Sequence, residues 1–229
     1  IPARDPELGP MIRSLFLPEE GDQWAAIDFS QQEPRILVHY AHVFGEQRGQ
    51  PLRGAKDFVD RYNQDPSTDF HTMVSEMTNI SRKRAKTVGL GILYGMGVNK
   101  LAGELDVPVD EAKDVLKHFN ETLPFVKGLS MGVMNRLNQK DSKGELRSLL
   151  GRRCRFNLWE PDTFEMNKAL PYEDAVKAYG DTVRLKRAYT YKALNRLIQA
   201  SAADMTKKAM VDIYEQGMLP MIQIHDEIA

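Results

Sequence analysis

The sequence has little cysteine, no excess of basic charge and no long apolar run. Cys154 is the single cysteine among 229 residues, and 31 Lys and Arg face 32 Asp and Glu, for a formal net charge of −1. A lone cysteine excludes an internal disulfide and a Cys-rich zinc site. Because the charge is balanced overall, any electropositive surface that binds a polyanion must be local.

Membrane-spanning and secreted classes are also disfavoured. No segment approaches the roughly 18 consecutive apolar residues of a membrane span, and the start at Ile1 has no signal-peptide character. We therefore expect a soluble, intracellular protein with no membrane partner. The sequence begins without Met and stops at Ala229, directly after an apolar segment, which leads us to expect a partial chain.

The residues present suit a globular domain with its own core, since 42% of them are hydrophobic. Apolar runs predict buried strands, and helical periodicity with capping residues predicts helices. The predicted elements are a buried strand at 24–27, helices at 31–43 and 55–62, a mostly helical stretch at 70–134, a loop-rich stretch at 140–187, a helix at 189–216 that stops at Gly217, and a strand, turn and strand at 218–229.

Two carboxylates stand at the ends of predicted strands. Asp28 follows Ala26-Ile27, and Asp226 follows the run from Ile222 to His225. Two such acids on neighbouring strands would repel each other, and bound Mg²⁺ would relieve the repulsion because hard cations take carboxylate and phosphate oxygens together. Either acid alone is more simply a turn residue, but the pair together favours a metal site for phosphoryl transfer.

A basic helix is the second candidate feature. Arg82, Lys86, Leu90 and Tyr94 recur every four residues from Ser81 onward and form one stripe along a helix face. Like charges four residues apart repel by about 0.2–0.5 kcal/mol, so this face favours a bound anion such as a triphosphate.

Two glycines interrupt the same helix. Gly89 and Gly91 each cost roughly 1 kcal/mol relative to Ala in a helix interior. They suggest that another group, such as a base pair, approaches the backbone closely. A solvated basic face on an ordinary amphipathic helix is the structural alternative.

These segments resemble the conserved motifs of the family A DNA polymerases. Asp28-Phe29-Ser30-Gln31-Gln32-Glu33-Pro34-Arg35 resembles motif A, the segment from Arg82 to Gly95 resembles motif B, and Gln223-Ile224-His225-Asp226-Glu227 resembles motif C. The order and spacing match as well, and the resemblance covers nearly the whole chain, most weakly from Asp141 to Val183.

The resemblance implies a metal-dependent active site. Asp28 and Asp226 would hold two Mg²⁺ ions together with the backbone carbonyl of Phe29. Lys86 would neutralise or protonate the departing pyrophosphate, so Asp28, Asp226 and Lys86 are the implied catalytic residues. His225 would contact the primer end, and Glu227 would lie near the metals.

The resemblance also implies how the substrates bind. The incoming deoxynucleoside triphosphate would be held by residues that contact its phosphates, sugar and base: His71, Arg82, Lys86, Leu90, Tyr94 and Glu33. Glu33, bonded by Tyr94, would crowd the 2′ position and reject ribonucleotides. Primer-template DNA would meet His225, Asn195, Gln199 and Arg4. From spacing alone, surface hydration explains Asn195 and Gln199 equally well.

Several positions depart from the family pattern. Leu90 stands where an aromatic residue is usual, Gly89 replaces an Asn, Tyr191 replaces an Arg of bacterial members, and Pro34 replaces an aliphatic residue. Together with Leu90, the segment Gln32-Glu33-Pro34-Arg35 makes the chain look more like viral than cellular members. A phage-encoded protein would act in the cytoplasm of a bacterial host.

The implied fold class is α+β: a right-hand polymerase palm, with an antiparallel sheet and helices, and an inserted helical fingers subdomain. We expect palm residues at 1–42 and 188–229 and fingers at 43–187. The implied function is template-directed DNA synthesis on a primer 3′-hydroxyl.

Three alternative functions stay open. A single-subunit phage-type RNA polymerase shares several motif residues but lacks a carboxylate gate like Glu33. A fragment that binds primer-template without catalysis is possible. A two-metal nuclease would share the carboxylates but would leave the stripe of Arg82 and Lys86 unexplained.

Overall fold

The computed structural model describes residues 5–93, 96–139, 141–163, 165 and 167–229, without the side chains of Leu90, Ile92 and Leu93. The helices in this part of the chain are α1 Leu8–Arg13, α2 Gln32–Gln47, α3 Ala55–Gln64, α4 Phe70–Thr78, α5 Arg82–Leu93, α6 Val98–Leu105, α7 Val109–Thr122, α8 Pro124–Asn138, α9 Tyr172–Tyr179 and α10 Ala193–Glu215. The strands are β1 Ile27–Asp28, β2 Glu145–Arg147, β3 Arg153–Arg155, β4 Leu158–Pro161, β5 Leu170–Pro171, β6 Leu185–Arg187, β7 Gln223–Ile224 and β8 Glu227–Ile228.

The chain forms two compact units. The first unit comprises residues 1–30 and 206–229, and the second comprises residues 31–205. The division into palm and fingers is a separate, functional one and stays a prediction. None of the helices in the described part of the chain has the length and apolar character needed to cross a bilayer.

The first unit is organised by a small antiparallel sheet with the strand order β1-β8-β7. Ile27 lies opposite Ile228 and Asp28 opposite Glu227, while Ile224 lies opposite Glu227 on the other side of β8. Ile228, in the central strand, is only 4% exposed. The sheet therefore brings the predicted strand-end acids into one local structure.

The prediction of a buried strand at 24–27 was wrong. Only residues 27 and 28 of the segment that starts at Trp24 are in a strand, and Ile27 is 54% exposed. An edge strand of two residues can bury its side chains only if another element covers its face, and more than half of the Ile27 surface stays exposed. An apolar pattern alone does not distinguish these cases.

The second unit is mostly helical and has a continuous apolar core. Phe58 of α3 lies with its ring centroid 5.5 Å from Phe70 of α4 and 5.3 Å from Phe125 of α8. Offset aromatic contacts of this kind join three helices that are distant in sequence. Gln32, 6% exposed, donates from Nε2 to the Ala202 carbonyl at 3.2 Å and so joins the start of α2 to α10.

Most of the predicted helices are confirmed, and the capping of α5 is now decided. The Ser81 hydroxyl accepts a bond from the Arg84 amide at 3.3 Å, whereas Asn79 ends α4 in the left-handed conformation with φ 54°. Gly217, with φ +85°, follows the end of α10 as expected.

The stretch at 140–187 is more regular than the sequence indicated. It contains the hairpin β2–β3 and the sheet β5-β4-β6, with α9 between β5 and β6. Strands of two to four residues are too short to show a period-2 pattern, which explains why the sequence indicated loops.

Candidate functional site

The carboxylate group of the first unit is built on a tight hairpin. Ile224 pairs with Glu227, so His225 and Asp226 form the two-residue turn between β7 and β8. His225 adopts the left-handed conformation, with φ 57°, and its carbonyl accepts a bond from Gln223 Nε2 at 2.8 Å. This turn presents Asp226 beside Glu227, which lies opposite Asp28 in the sheet.

The electrostatics of this group favour a cation. Partial burial raises the pKa of Asp28, and the negative charges of Asp226 and Glu227 raise it further, while a bond from the Phe29 amide lowers it. None of the ion pairs among the described residues includes these three acids. Like charges that raise the pKa of Asp28, without a basic ion-pair partner among the described residues, fit a site for a divalent ion.

The acids do not by themselves complete a metal cage. Within the described residues, no group of three or more His, Cys, Asp or Glu side chains is close enough to hold a metal ion. An open set of few carboxylates suits Mg²⁺, which usually keeps waters and takes substrate phosphates as its remaining ligands. The Phe29 carbonyl, next to Asp28, stays a predicted ligand.

In the second unit, helices α4 and α5 pack against each other and carry the predicted triphosphate ligands. Asp69 caps α4, since its Oδ1 accepts a bond from the Thr72 amide at 2.6 Å. The same carboxylate accepts two bonds from Arg82, from Nε at 3.2 Å to Oδ1 and from Nη2 at 2.7 Å to Oδ2. These bonds lower the pKa of Asp69 to about 2, chiefly through Arg82.

His71 is a buried polar side chain that lacks a hydrogen-bond partner. It lies in the first turn of α4, is 7% exposed, and its Nδ1 makes no hydrogen bond among the described residues. Burial lowers its pKa most, and the positive charges of Lys86 and Arg82 lower it further against the opposing effect of Asp69. A buried imidazole nitrogen without a partner among the described residues calls for an explanation, and the contact of His71 with a triphosphate stays a prediction.

The basic stripe is partly confirmed. Arg82 and Lys86 both lie on α5 with exposed side chains. The two glycines have different surroundings: a Cβ at Gly91 would lie 3.2 Å from the Met96 sulfur, and one at Gly89 would lie 3.8 Å from the Phe70 ring. The close approach at Gly91 therefore comes from the chain's own Met96, which also donates its amide to the Gly91 carbonyl at 2.8 Å.

Three predicted positions cannot be placed. Arg4 and Tyr94 lie outside the described residues, and the side chain of Leu90 is likewise not described. The predicted bond between Tyr94 and Glu33 therefore stays a prediction. Glu33 itself is half-buried in the first turn of α2.

The residue before α2 joins that helix to α4. The Gln31 side chain donates to the Thr68 carbonyl at 3.1 Å and accepts from the Phe70 amide at 2.6 Å. It thereby satisfies an amide at the start of α4 that has no partner within the helix. The helix that carries Glu33 and the helix that carries His71 are thus linked by one side chain.

The predicted minor-groove residues lie on α10. Asn195 is half-buried and Gln199 is exposed, and their spacing of four residues puts them on one face of the helix. Their contact with DNA stays a prediction.

The opposite face of α10 holds a buried polar cluster that the sequence did not suggest. Asp204, 3% exposed, accepts bonds from the Ser148 hydroxyl and from Arg152 Nη2. Nearby, the Ser201 hydroxyl accepts a bond from the Leu149 amide at 3.2 Å. These contacts hold the turn between β2 and β3 against α10.

Sequence reasoning missed the role of Asp69 in the candidate site and that of Asp204 in holding the β2–β3 turn against α10. An Asp followed three residues later by Thr72, at the start of a helical pattern, is an N-cap signal that could have identified Asp69. Nothing local marks Asp204, because its partners lie more than 50 residues earlier in the chain.

The whole sequence is similar to a known protein family. A family model described as DNA polymerase family A matches residues 1–229. The DNA-directed DNA polymerase of Pseudomonas phage M6 is 35% identical over 263 residues, covering 100% of this chain and 36% of the relative. The thermostable DNA polymerase I of Thermus aquaticus is 31% identical over 232 residues, covering 100% of this chain and 24% of the relative. The chain thus spans well under half the length of these relatives.

A solved structure is similar as well. The POL domain of Pol1 from M. smegmatis, in complex with DNA primer-template and dNTP, matches with a TM-score of 0.66 and 25% sequence identity. The match covers 97% of this chain and 36% of that chain. The predicted mixed helical and antiparallel-sheet fold class, that of a polymerase domain, is confirmed.

Proposed function

Because this chain belongs to DNA polymerase family A, we propose that it carries the catalytic residues of a template-directed DNA polymerase. The reaction is attack of a primer 3′-hydroxyl on the α-phosphate of a deoxynucleoside triphosphate, with release of pyrophosphate. The observation that carries the proposal is the grouping of Asp28, Asp226 and Glu227 in one small sheet without an ion-pair partner among the described residues. Such a group needs positive charge, which Mg²⁺ ions bound together with the nucleotide would supply.

Asp28 and Asp226 would hold two Mg²⁺ ions, with help from the Phe29 carbonyl. Bound there, Mg²⁺ supplies charge neutralisation for the reacting phosphate and lowers the pKa of the attacking hydroxyl. The protein's own part is positional: the β7–β8 turn fixes Asp226, and pairing with β8 fixes Asp28. Glu227, opposite Asp28 in β8 and next to Asp226 along the chain, increases the negative potential. His225, on the same turn, would contact the primer end.

The α4–α5 pair would hold the triphosphate. Arg82 and Lys86 supply positive charge on the exposed face of α5, and His71 supplies a hydrogen bond from a buried, mostly neutral imidazole. Lys86 would also neutralise or protonate the departing pyrophosphate, because a fixed cation acts best where negative charge develops. Leu90 and Tyr94 would complete the site beside the sugar and base.

Sugar selection and DNA binding complete the proposal. Glu33, half-buried at the start of α2, would exclude the 2′-hydroxyl of a ribonucleotide. Asn195 and Gln199 would read the minor groove of the newly formed pair, and Arg4 would contact the primer-template. Residues 1–42 and 188–229 would act as palm and residues 43–187 as fingers. Because phage proteins are among the relatives, the place of action would be the cytoplasm of a bacterial host.

Primer extension on a defined DNA template tests this function. Asp226→Ala should abolish Mg²⁺-dependent extension. Asp212→Ala is the matched control, since Asp212 is an exposed acid of the same unit that pairs with Lys208 at 2.6 Å, and it should extend normally.

Other outcomes of the primer-extension assay would favour a different mechanism or function. Equal extension by both variants would remove Asp226 from the mechanism. DNA binding without extension by the unmodified protein would favour a binding fragment. Preferential use of ribonucleotides would favour an RNA polymerase.

A further inference from the structure

We propose that Asp69 is a positioning residue that orients the Arg82 guanidinium toward the triphosphate of the incoming nucleotide. The inference rests on the proposed function and deepens it, because it concerns the same phosphate site. Asp69 would not contact the nucleotide itself; it would act through Arg82.

The geometry of the pair is the first argument. Asp69 engages Nε and Nη2 of Arg82 with its two oxygens, at 3.2 and 2.7 Å. Because a guanidinium is planar, fixing one edge by two bonds also fixes the direction of its remaining N–H groups. Nη1 makes no hydrogen bond among the described residues, and the Arg82 side chain is 58% exposed. The pair therefore leaves an oriented donor edge available to a phosphate.

The anchoring of Asp69 is the second argument. Its Oδ1 also accepts the Thr72 amide at 2.6 Å, and the neighbouring Phe70 amide is bonded by Gln31 at 2.6 Å. The carboxylate is thus held on the first turn of α4, the turn that carries the buried, unsatisfied His71. The Asp69 carboxylate consequently fixes the Arg82 guanidinium on α5 relative to His71 on α4.

Three readings of the pair predict different results for Asp69→Asn. If Asp69 orients Arg82, the variant weakens triphosphate binding. If Asp69 merely offsets positive charge near the phosphates, the variant strengthens it. If Asp69 is only a helix cap, binding is unchanged, since Asn caps as well as Asp.

The test measures the KM for deoxynucleotide and kcat in primer extension, together with competition by inorganic tripolyphosphate. For Asp69→Asn we expect the KM and the inhibition constant of tripolyphosphate to rise about five- to tenfold, with a smaller change in kcat. Arg82→Lys, which keeps the charge and leaves the cap untouched, should behave in the same way because an ammonium cannot replace the planar fork. In an Arg82→Ala background, Asp69→Asn should have no further effect.

Asp65→Asn is the matched control. It removes the same charge four residues earlier, where the carboxylate bonds only Ser67 among the described residues, at 2.9 and 2.6 Å. It should leave both constants unchanged, and circular dichroism should show equal helix content in all variants.

Unchanged or tighter tripolyphosphate binding by Asp69→Asn, or a wild-type KM in Arg82→Lys, would overturn the inference while leaving the proposed function standing. A wild-type KM in Arg82→Ala would overturn both the phosphate role of Arg82 and the inference. Failure of the unmodified protein to extend a primer would instead reject the proposed function.

Discussion

The buried carboxylate of Asp204, on α10, provides a test of what stabilises the second unit. Asp204 is 3% exposed and accepts bonds from Ser148 and Arg152, whose own side chain is 47% exposed. Asp204→Ala removes the acceptor for both and frees the turn between β2 and β3 from α10. Because Arg152 can turn into water, the variant does not leave a cation fully buried.

The expected loss of stability follows from this difference in exposure between Asp204 and Arg152. Removing one partner of a fully buried ion pair costs about 3–5 kcal/mol, and the exposure of Arg152 places this case near the lower limit, at about 3 kcal/mol. In a unit of this size, that loss lowers the melting temperature by about 6–12 °C. Asp60→Ala, which breaks the exposed pair with Lys56, should cost no more than about 0.5 kcal/mol.

Urea unfolding, monitored by circular dichroism, gives the free energy of unfolding of both variants under the same conditions. A lower midpoint for Asp204→Ala at unchanged slope, with Asp60→Ala close to the unmodified protein, is the expected result. Equal, small shifts in the two variants would refute the reasoning, because they would show that the contacts of Asp204 contribute no more than a surface pair. A double-mutant cycle with Arg152→Ala and Asp204→Ala would then measure the coupling energy between the two side chains directly.

Three further predictions follow from the two sites. Glu33→Ala should admit ribonucleotides in primer extension, whereas Glu46→Ala at the other end of α2 should not; unchanged sugar selectivity in the first variant would reject the gate. In an NMR titration, the pKa of His71 should lie below its ordinary value, and this pKa should rise when tripolyphosphate binds. Because the folded pKa of His71 is lowered, its contribution to stability is present above about pH 6.5 and is lost as the pH falls toward the folded pKa. Glu227→Gln should lower the pKa of Asp28, measured by carboxyl ¹³C NMR, since it removes one of the like charges that raise it; an unchanged value would show that the charge of Glu227 does not contribute to the shift.

The sequence determined much of the local structure and was enough to propose the site residues. Helical periodicity and capping signals located α2, α5, α7 and α10, because these signals depend on residues within a few positions of one another. The motif residues Asp28 and Asp226 could be named for a similar reason, since each follows a short apolar run at a strand end.

The tertiary structure decided how those residues are supported. That Asp28 lies opposite Glu227, and that their like charges raise the pKa of Asp28, depends on the pairing of β1 with β8 across almost the whole length of the chain. The two bonds from Arg82 to Asp69 join consecutive helices, and the bonds from Ser148 and Arg152 to Asp204 join segments more than 50 residues apart. A linear pattern carries no information about which buried acid meets which base, because that choice depends on packing between elements, and so these contacts appear only in the folded chain.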